Sequence, residues 1–169
     1  MAESARELAE RFERSNDEII AVAEGCSDEQ WGTLVPDEGR TVGVLCHHVA
    51  ERYGFQTQLV QALSTGAAGP AVDAEAIRAA NAQHMEDYAN CTKDEALALL
   101  RQNGAAARAV VEALTDEQLE REGRLVLYGD RPVTARVVIE GRLLGHPRSH
   151  LQGIRAVLGD ELTAKGATT

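Results

Sequence analysis

Five segments of the chain place apolar residues at the spacing of an α-helix, and this pattern constrains the fold more than any other feature. In the first segment Leu8, Phe12 and Ile19 share a face, and Gly25 follows as a stop signal. Aromatic residues make up only 4% of the chain, so the core consists chiefly of Leu, Val, Ile and Ala, a composition that favours helices. The predicted fold class is all-α, an up-and-down four-helix bundle with one short extra helix. Helices are predicted over residues 3–25, 42–64, 74–90, 93–114 and 133–158.

Capping residues mark where several of these helices begin. Thr41 and Asp73 precede the second and third predicted helices, where their side-chain oxygens can accept hydrogen bonds from the free N–H groups of the first turn. Thr92 and Glu95 form a capping box ahead of the fourth helix. At 169 residues the chain is long enough for one domain with a core and too short to expect two. A single domain over residues 1–169 is therefore predicted.

The last part of the chain allows two interpretations. Residues 125–128 look extended, and the β-branched run within 133–139 is typical of strands, so these two segments could form a hairpin. The alternative is one long helix, because apolar residues keep a helical period from residue 133 to residue 158. We favour the helix. Its apolar stripe consists of Val133, Val137, Leu144, Leu151, Ile154 and Leu158.

Charge and hydropathy exclude several classes of partner. The 17 basic and 27 acidic residues give a net charge of −10, whereas a phosphate-binding surface needs clustered Lys and Arg, so no nucleic-acid partner is expected. No apolar run approaches the roughly 20 residues that span a bilayer. The N-terminus is charged and lacks a signal-peptide core. These features predict a cytoplasmic protein with no membrane partner.

The three cysteines, Cys26, Cys46 and Cys91, are widely spaced and form no CxxC pair. This pattern is typical of free thiols in a reducing compartment. Cys46 lies in the same predicted helix as His48. We interpret it as a small core residue rather than as a ligand or nucleophile, since free cysteine is commonly buried.

The histidines are few, but their spacing is informative. His146 and His150 are four residues apart in the last predicted helix, which puts both rings on one face. His48 lies on the apolar face of the second predicted helix, about a hundred residues earlier. His47 points about 100° away from that face and is expected to be more exposed. Three imidazoles from two helices are therefore predicted to converge.

Convergence of these three side chains predicts a metal site. A buried neutral imidazole needs a partner for each polar nitrogen, and a divalent ion satisfies three nitrogens at once. Three protein ligands leave open positions, as catalytic metals require, whereas a structural zinc usually has four. Imidazole suits Zn²⁺, Ni²⁺, Cu²⁺ or Fe²⁺, and we expect one divalent ion, Zn²⁺ or Ni²⁺. The alternative is that the histidines are core residues bonded to other protein groups.

Helix-breaking residues surround the HxxxH pair. Gly141, Gly145 and Pro147 all fall inside the last predicted helix. An interior proline costs about 3 kcal/mol and each glycine about 1 kcal/mol, and such violations of local rules tend to occur at functional sites. The alternative is that one helix ends near Gly145 and another begins with Pro147, which would make His146 an N-cap residue.

Two stretches of the chain resemble motifs of one known family. Residues 40–51 have the sequence RTVGVLCHHVAE and resemble the second-helix motif of the DinB/YfiT-like superfamily. Trp31 and Pro36 stand where such proteins often have a tryptophan and a proline. Residues 143–155, LLGHPRSHLQGIR, resemble the closing HxxxH motif of the same superfamily, from whose usual pattern Pro147 departs.

The resemblance implies a DinB-like four-helix bundle, often a homodimer, with a divalent metal held by three histidines. By position these are His48, His146 and His150. Relatives include the mycothiol-dependent maleylpyruvate isomerases, the bacillithiol transferases and proteins classed as metal hydrolases. A small-molecule substrate and a low-molecular-weight thiol as co-substrate are what this likeness implies.

Three functions follow as hypotheses. The favoured one is a divalent-metal-dependent S-transferase or isomerase of the mycothiol or bacillithiol type, in which a coordinated thiol loses its proton and attacks a small electrophilic substrate. The second is a metal-dependent hydrolase, which needs a carboxylate as general base, and Glu140 is the nearest candidate. The third is a non-enzymatic bundle that binds a metal or a ligand.

Three further side chains have open roles. His84 and Tyr88 of the third predicted helix could line the substrate pocket or belong to the core. Glu51 could support a metal ligand, although a solvated helix face is the preferred interpretation.

Overall fold

The computed structural model describes residues 3–129 and 131–159, and it shows an all-α helical bundle, as predicted. The first half contains α1 (Ala5–Gly25), α2 (Asp28–Trp31), α3 (Val42–Thr65) and α4 (Ala74–Asp87). The second half contains α5 (Lys93–Glu112), α6 (Asp116–Glu120), α7 (Ala135–Val138), a π-helix (Ile139–Gly145) and α8 (His146–Leu158). The last three run on without interruption and are called here the closing helix. Two short antiparallel ladders pair β1 (Leu34–Val35) with β2 (Arg40–Thr41) and β3 (Glu122–Gly123) with β4 (Val133–Thr134).

Four helices share the apolar core. α5 packs against α1 and α3, and the closing helix packs against the same two helices. At the centre the rings of Phe12 and Tyr53 meet edge to face with centroids 5.0 Å apart. α4 lies on the outside of this bundle, and His84 is its one buried residue within the described chain. The helix α4 therefore covers the bundle rather than completing its core.

The capping residues act as the sequence predicted. The hydroxyl of Thr41 accepts from the backbone N–H of Val44, and the carboxylate of Asp73 accepts from that of Ala76. Thr92 and Glu95 form the predicted capping box. These caps satisfy N–H groups that have no partner inside the helix, and they fix where α3, α4 and α5 begin.

In the region after α6 the favoured long helix is confirmed from Ala135 to Leu158, with a π-helix inside it. The segment expected to be extended contains a 3₁₀ turn at Val126–Tyr128, so that expectation was wrong. The strand that pairs with Val133–Thr134 is Glu122–Gly123, which lies before the segment expected for it, and the helix begins at Ala135. Val137, placed on the inward stripe, is 46% exposed, whereas its neighbour Val138 is buried. A π-helix inserts an extra residue per turn, so the inward face before it lies about one position away from where an α-helical period places it.

The first turn of α3 depends on Gly43. Trp31 packs directly on this glycine and donates its Nε1–H to the carbonyl of Cys91 over 3.1 Å, and a Cβ on Gly43 would overlap the indole. We expect Gly43→Ala to lower the free energy of unfolding by about 1–3 kcal/mol, because the ring must move. Gly54→Ala is the matched control, since nothing lies within 4 Å of its added Cβ, and alanine there should be neutral or stabilising. Urea denaturation measures both, and equal effects would contradict this packing.

No helix in the described ranges is long and apolar enough to cross a bilayer. Residues 1–2, 130 and 160–169 of the predicted domain lie outside those ranges.

Candidate metal centre

The structure brings together the three histidines that the sequence singled out. Nε2 of His146 lies 3.2 Å from Nε2 of His48 and 3.1 Å from Nε2 of His150. His48 comes from α3, and the other two occupy successive turns of α8. His146 has helical dihedral angles (φ −62°, ψ −51°), so it is not an N-cap ahead of a separate helix. Pro147 is accommodated because the π-helix immediately precedes α8, and the HxxxH pair keeps a regular α-helical spacing.

These distances fit a shared ion. Two nitrogens that each lie about 2.0–2.1 Å from one zinc ion are about 2.9–3.4 Å apart when the angle at the ion is about 90–109°. Without an ion, the three ring nitrogens form a poor hydrogen-bonding arrangement. Nε2 of His146 faces two other ring nitrogens and has either one proton or one lone pair to offer them. The cluster could therefore hold a metal ion.

A carboxylate behind His150 fixes which of its nitrogens faces the cluster. Nδ1 of His150 lies 2.7 Å from Oε1 of Glu38. An ionised carboxylate only accepts, so Nδ1 carries the proton and donates it, which leaves the lone pair on Nε2. A carboxylate that orients the outer nitrogen of a histidine in this way is a recurrent partner of metal-binding histidines.

Glu38 reaches His150 through a close contact between the β1–β2 turn and α8. The turn lies over Gly153, where an added Cβ would be 3.3 Å from Cγ1 of Val35 and 4.0 Å from Cγ of Glu38. This glycine stands three residues after His150, on the same side of the helix. A larger side chain at this position would push the turn, and the carboxylate with it, away from the imidazole.

Gln56 stands behind His146. Its Nε2 lies 3.4 Å from Nδ1 of His146, while its Oε1 is buried without a hydrogen-bond partner. The two ends of a glutamine amide exchange by a half-turn, and their assignment follows from the surrounding hydrogen bonds. After that half-turn Oε1 accepts the Nδ1–H of His146, and the Nε2 lone pair of this histidine faces the cluster.

Burial keeps most of these imidazoles neutral. Desolvation is the largest cause that lowers the pKa of His146 to about 3, and the positive charges of nearby arginines act in the same direction. The same causes, with burial again the largest, hold the pKa of His48 far below its usual range. Neutral imidazole is the form that binds metals, so both side chains are ready to act as ligands at neutral pH.

The prediction that His47 is exposed was wrong. His47 is 3% exposed, because α4 covers it. Its Nδ1 lies 2.9 Å from Nε2 of His84, and its ring stacks on Tyr88 with centroids 3.9 Å apart. Glu51 is half-exposed, with Oε2 3.6 Å from Nε2 of His84. These four residues form a second cluster beside the three histidines, and the contact between His47 and His84 holds α4 in place.

A small cavity of about 90 Å³ opens beside the three histidines. His48 and His146 form one side, and two arginines, Arg52 and Arg142, are also in its lining. α4 contributes Ile77 and Asn81, so the covering helix forms part of the wall. His84 and Tyr88, the candidates for the pocket, are not among the lining residues and belong to the second cluster instead. Phe55 and Gln56 complete the lining.

Two other candidates stand apart from the site. Glu140 is exposed and, in the described part of the chain, forms no hydrogen bond or ion pair with the histidines. Cys46 belongs to the apolar core, and burial raises the pKa of its thiol, which agrees with its interpretation as a core residue. Cys26, Cys46 and Cys91 are all free.

Sequence reasoning missed Glu38, Gln56, Arg52 and Arg142 as members of the site. Arg142 stands on the helix turn before His146, and Gln56 and Arg52 follow His48 at helical spacing, so a helical wheel could have found these three. Glu38 had no such signal, since its position depends on a turn between helices.

Comparison with known proteins places the chain in a family. No curated protein and no solved structure matches it significantly. The family described as "Mycothiol maleylpyruvate isomerase N-terminal domain" matches residues 12–144, a range that includes His48, Arg52 and Arg142 and stops two residues before His146. Since this match covers most of the chain, the protein belongs to that family and with it to the DinB/YfiT-like superfamily.

Proposed function

We propose that the protein is a divalent-metal-dependent S-transferase or isomerase that uses a low-molecular-weight thiol on a small electrophilic substrate. The observation that carries this proposal is the convergence of the Nε2 atoms of His48, His146 and His150 in a family named for a mycothiol-dependent isomerase. Zn²⁺ and Ni²⁺ are the proposed ions, because both accept imidazole nitrogens. A homodimer, which the family resemblance implies, stays a prediction.

A divalent ion bound by three neutral imidazoles would lower the pKa of a coordinated thiol enough for the thiolate to form at neutral pH. The residues of the chain prepare the site for this. Glu38 holds the Nδ1 proton of His150, and Gln56 is placed to do the same for His146. Both interactions keep the ring orientations and tautomers fixed before any ligand arrives.

The walls of the cavity restrict access to the reacting groups. Phe55 and Ile77 contribute apolar surface beside the histidines, and water displaced from such a site no longer weakens its electrostatic interactions. The small volume, about 90 Å³, fits part of a ligand rather than a whole one.

The hydrolase alternative has less support. Water activated by a metal needs a general base, and the cavity lining contains no carboxylate. Glu38 already accepts from His150. Glu51, which forms a second group of potential ligands with His48 and His84, is exposed and is not among the lining residues of the cavity. The thiol reaction needs no protein base for its first proton once the thiol is coordinated.

Thiol binding to the cobalt-substituted protein tests the proposal. Mycothiol and bacillithiol are each added, and a sulfur-to-cobalt charge-transfer band in the near ultraviolet reports a direct bond. We expect a saturable band with one of the two thiols. The S-methyl derivative of the same thiol is the matched control and should give no band, because it has no proton to lose.

A second control uses the protein. The double variant His146→Ala/His150→Ala should lose the band together with the cobalt. If neither thiol produces a band in the wild-type protein while cobalt remains bound, the thiol-dependent function is excluded, and the non-enzymatic metal-binding function becomes the better account.

A further inference from the structure

Two arginines in the cavity beside the three histidines have no acidic partner among residues 3–129 and 131–159. We propose that Arg52 and Arg142 form an anion site, which binds a carboxylate or another small oxyanion of a molecule held at the three-histidine centre. This inference rests on the proposed function, because it assigns a ligand chemistry to the same cavity. It adds a class of ligand that the histidines alone do not specify.

The charge of the cavity is the first argument. The whole chain has a net charge of −10, yet the cavity lining contains two arginines and no Asp or Glu. In the described part of the chain, no ion pair joins Arg52 or Arg142 to a carboxylate. Four other half-buried arginines, Arg11, Arg108, Arg121 and Arg136, have such a pair, and Arg40, outside this cavity, does not. Partly buried charges are normally paired, so this concentration of positive charge calls for an anionic ligand.

The metal ligands strengthen this argument. Three neutral imidazoles bring no negative charge to a divalent ion, and the carboxylate of Glu38 lies behind His150. A coordinated thiolate would supply one negative charge. The two guanidinium groups would still lack counter-charges, and their repulsion from the ion would disfavour the site unless a second anion binds.

An unpartnered donor gives a second line of support. Nε of Arg52 is buried without a hydrogen-bond partner in the described structure, and this residue lines the cavity. A buried donor without an acceptor costs free energy, and a bound oxyanion would supply the acceptor that Arg52 lacks. No acceptor for this N–H is present among the residues that the structure describes.

Arg142 is held in position from its other side. Its Cζ lies 5.6 Å from the centroid of the Tyr128 ring, and its Nε lies 3.5 Å from the Tyr128 hydroxyl. This cation–π contact restrains the guanidinium, whose planar fork of N–H groups matches the two oxygens of a carboxylate. The residue is on the last turn of the π-helix, directly before His146 and the metal ligands.

Titration of the zinc-loaded protein with acetate, followed by calorimetry, tests the site directly. Acetamide has nearly the same size and shape and no charge, so it should show no saturable binding. We expect Arg52→Gln and Arg142→Gln each to weaken acetate binding about 10- to 100-fold, as the loss of a charged hydrogen-bond partner does. The acetate affinity of Arg52→Lys should lie between those of the wild-type protein and Arg52→Gln, because lysine keeps the positive charge but lacks the planar fork of N–H groups.

Arg78→Gln is the matched control. Arg78 is an exposed residue of α4 beside Ile77, and its loss changes the net charge equally without touching the cavity lining. It should leave acetate affinity unchanged. Zinc affinity gives a second readout. Because Arg52→Gln removes a positive charge beside the ion, the zinc affinity of this variant should be equal to that of the wild-type protein or higher. If Arg52 had only a structural role, the substitution would lower the zinc affinity.

Equal acetate affinity in the wild-type protein and both cavity variants would overturn the anion site, and so would equal binding of acetamide. These results do not depend on any thiol, so the anion site and the thiol-dependent function can fail separately. Competition identifies the source of the anion. If acetate lowers the affinity for the thiol, the anion belongs to the thiol, and if both bind independently, it belongs to the electrophilic substrate.

Discussion

Replacing His150 with alanine is expected to reduce the affinity for Zn²⁺ or Ni²⁺ by far more than 100-fold. Its Nε2 is 3.1 Å from that of His146, and its removal leaves two ligands where three converge. Losing only an outer partner of a metal ligand already costs about 10- to 100-fold, so the loss of a ligand must cost more. Competition with a chromophoric chelator measures the affinity.

His47→Ala is the control for this substitution. His47 is as deeply buried as His48 and adjacent to it in sequence, but its Nδ1 faces His84 rather than the cluster. We expect the affinity for metal to change by no more than a few-fold. The variant should be less stable, because His47 anchors α4, so the titration is done where circular dichroism shows both proteins to be folded. If His47→Ala were the variant that lost the metal, the assignment of ligands on α3 would be wrong.

Glu38→Ala is expected to weaken metal binding by about 10- to 100-fold. The carboxylate accepts the Nδ1 proton of His150 and so keeps the lone pair on the nitrogen that faces the cluster. Glu38→Gln retains an accepting oxygen and should cost less. The same chelator titration measures both variants.

Glu140→Ala provides the control for that prediction. Glu140 stands on the π-helix near the site in sequence, but it is exposed and forms no hydrogen bond or ion pair with the histidines in the described ranges. Its removal should leave metal affinity unchanged. A Glu38→Ala protein with the same affinity as Glu140→Ala would show that the contact with His150 has no influence on the metal.

The helical wheel predicted the three converging histidines and failed for their neighbour. A helical wheel assumes that each helix has one buried face. On that assumption His48 points inward and His47 does not. α4 covers the second face of α3, so His47 is buried as well. The apolar pattern of α4 could not reveal this, because His84 is its one buried residue in the described chain and a single polar contact gives no periodic signal.

The carboxylate at Glu38 and the π-helix were beyond sequence reasoning for different reasons. Glu38 is 112 residues from His150, and its position depends on how the β1–β2 turn lies over Gly153. The π-helix could be suspected from Pro147 and the glycines before it, but the same residues were compatible with a helix end. Its extra residue explains why the helical period predicted His146 and His150 correctly and Val137 incorrectly.

X-ray absorption spectroscopy of the zinc-loaded protein tests the three-histidine centre most directly. The fine structure should show three imidazole nitrogens at about 2.0–2.1 Å and no sulfur from the protein. The spectrum of His146→Ala/His150→Ala, treated identically, should contain no tightly bound zinc. A wild-type protein that retains no zinc after loading and desalting, or a zinc shell dominated by sulfur or carboxylate oxygen, would contradict the account.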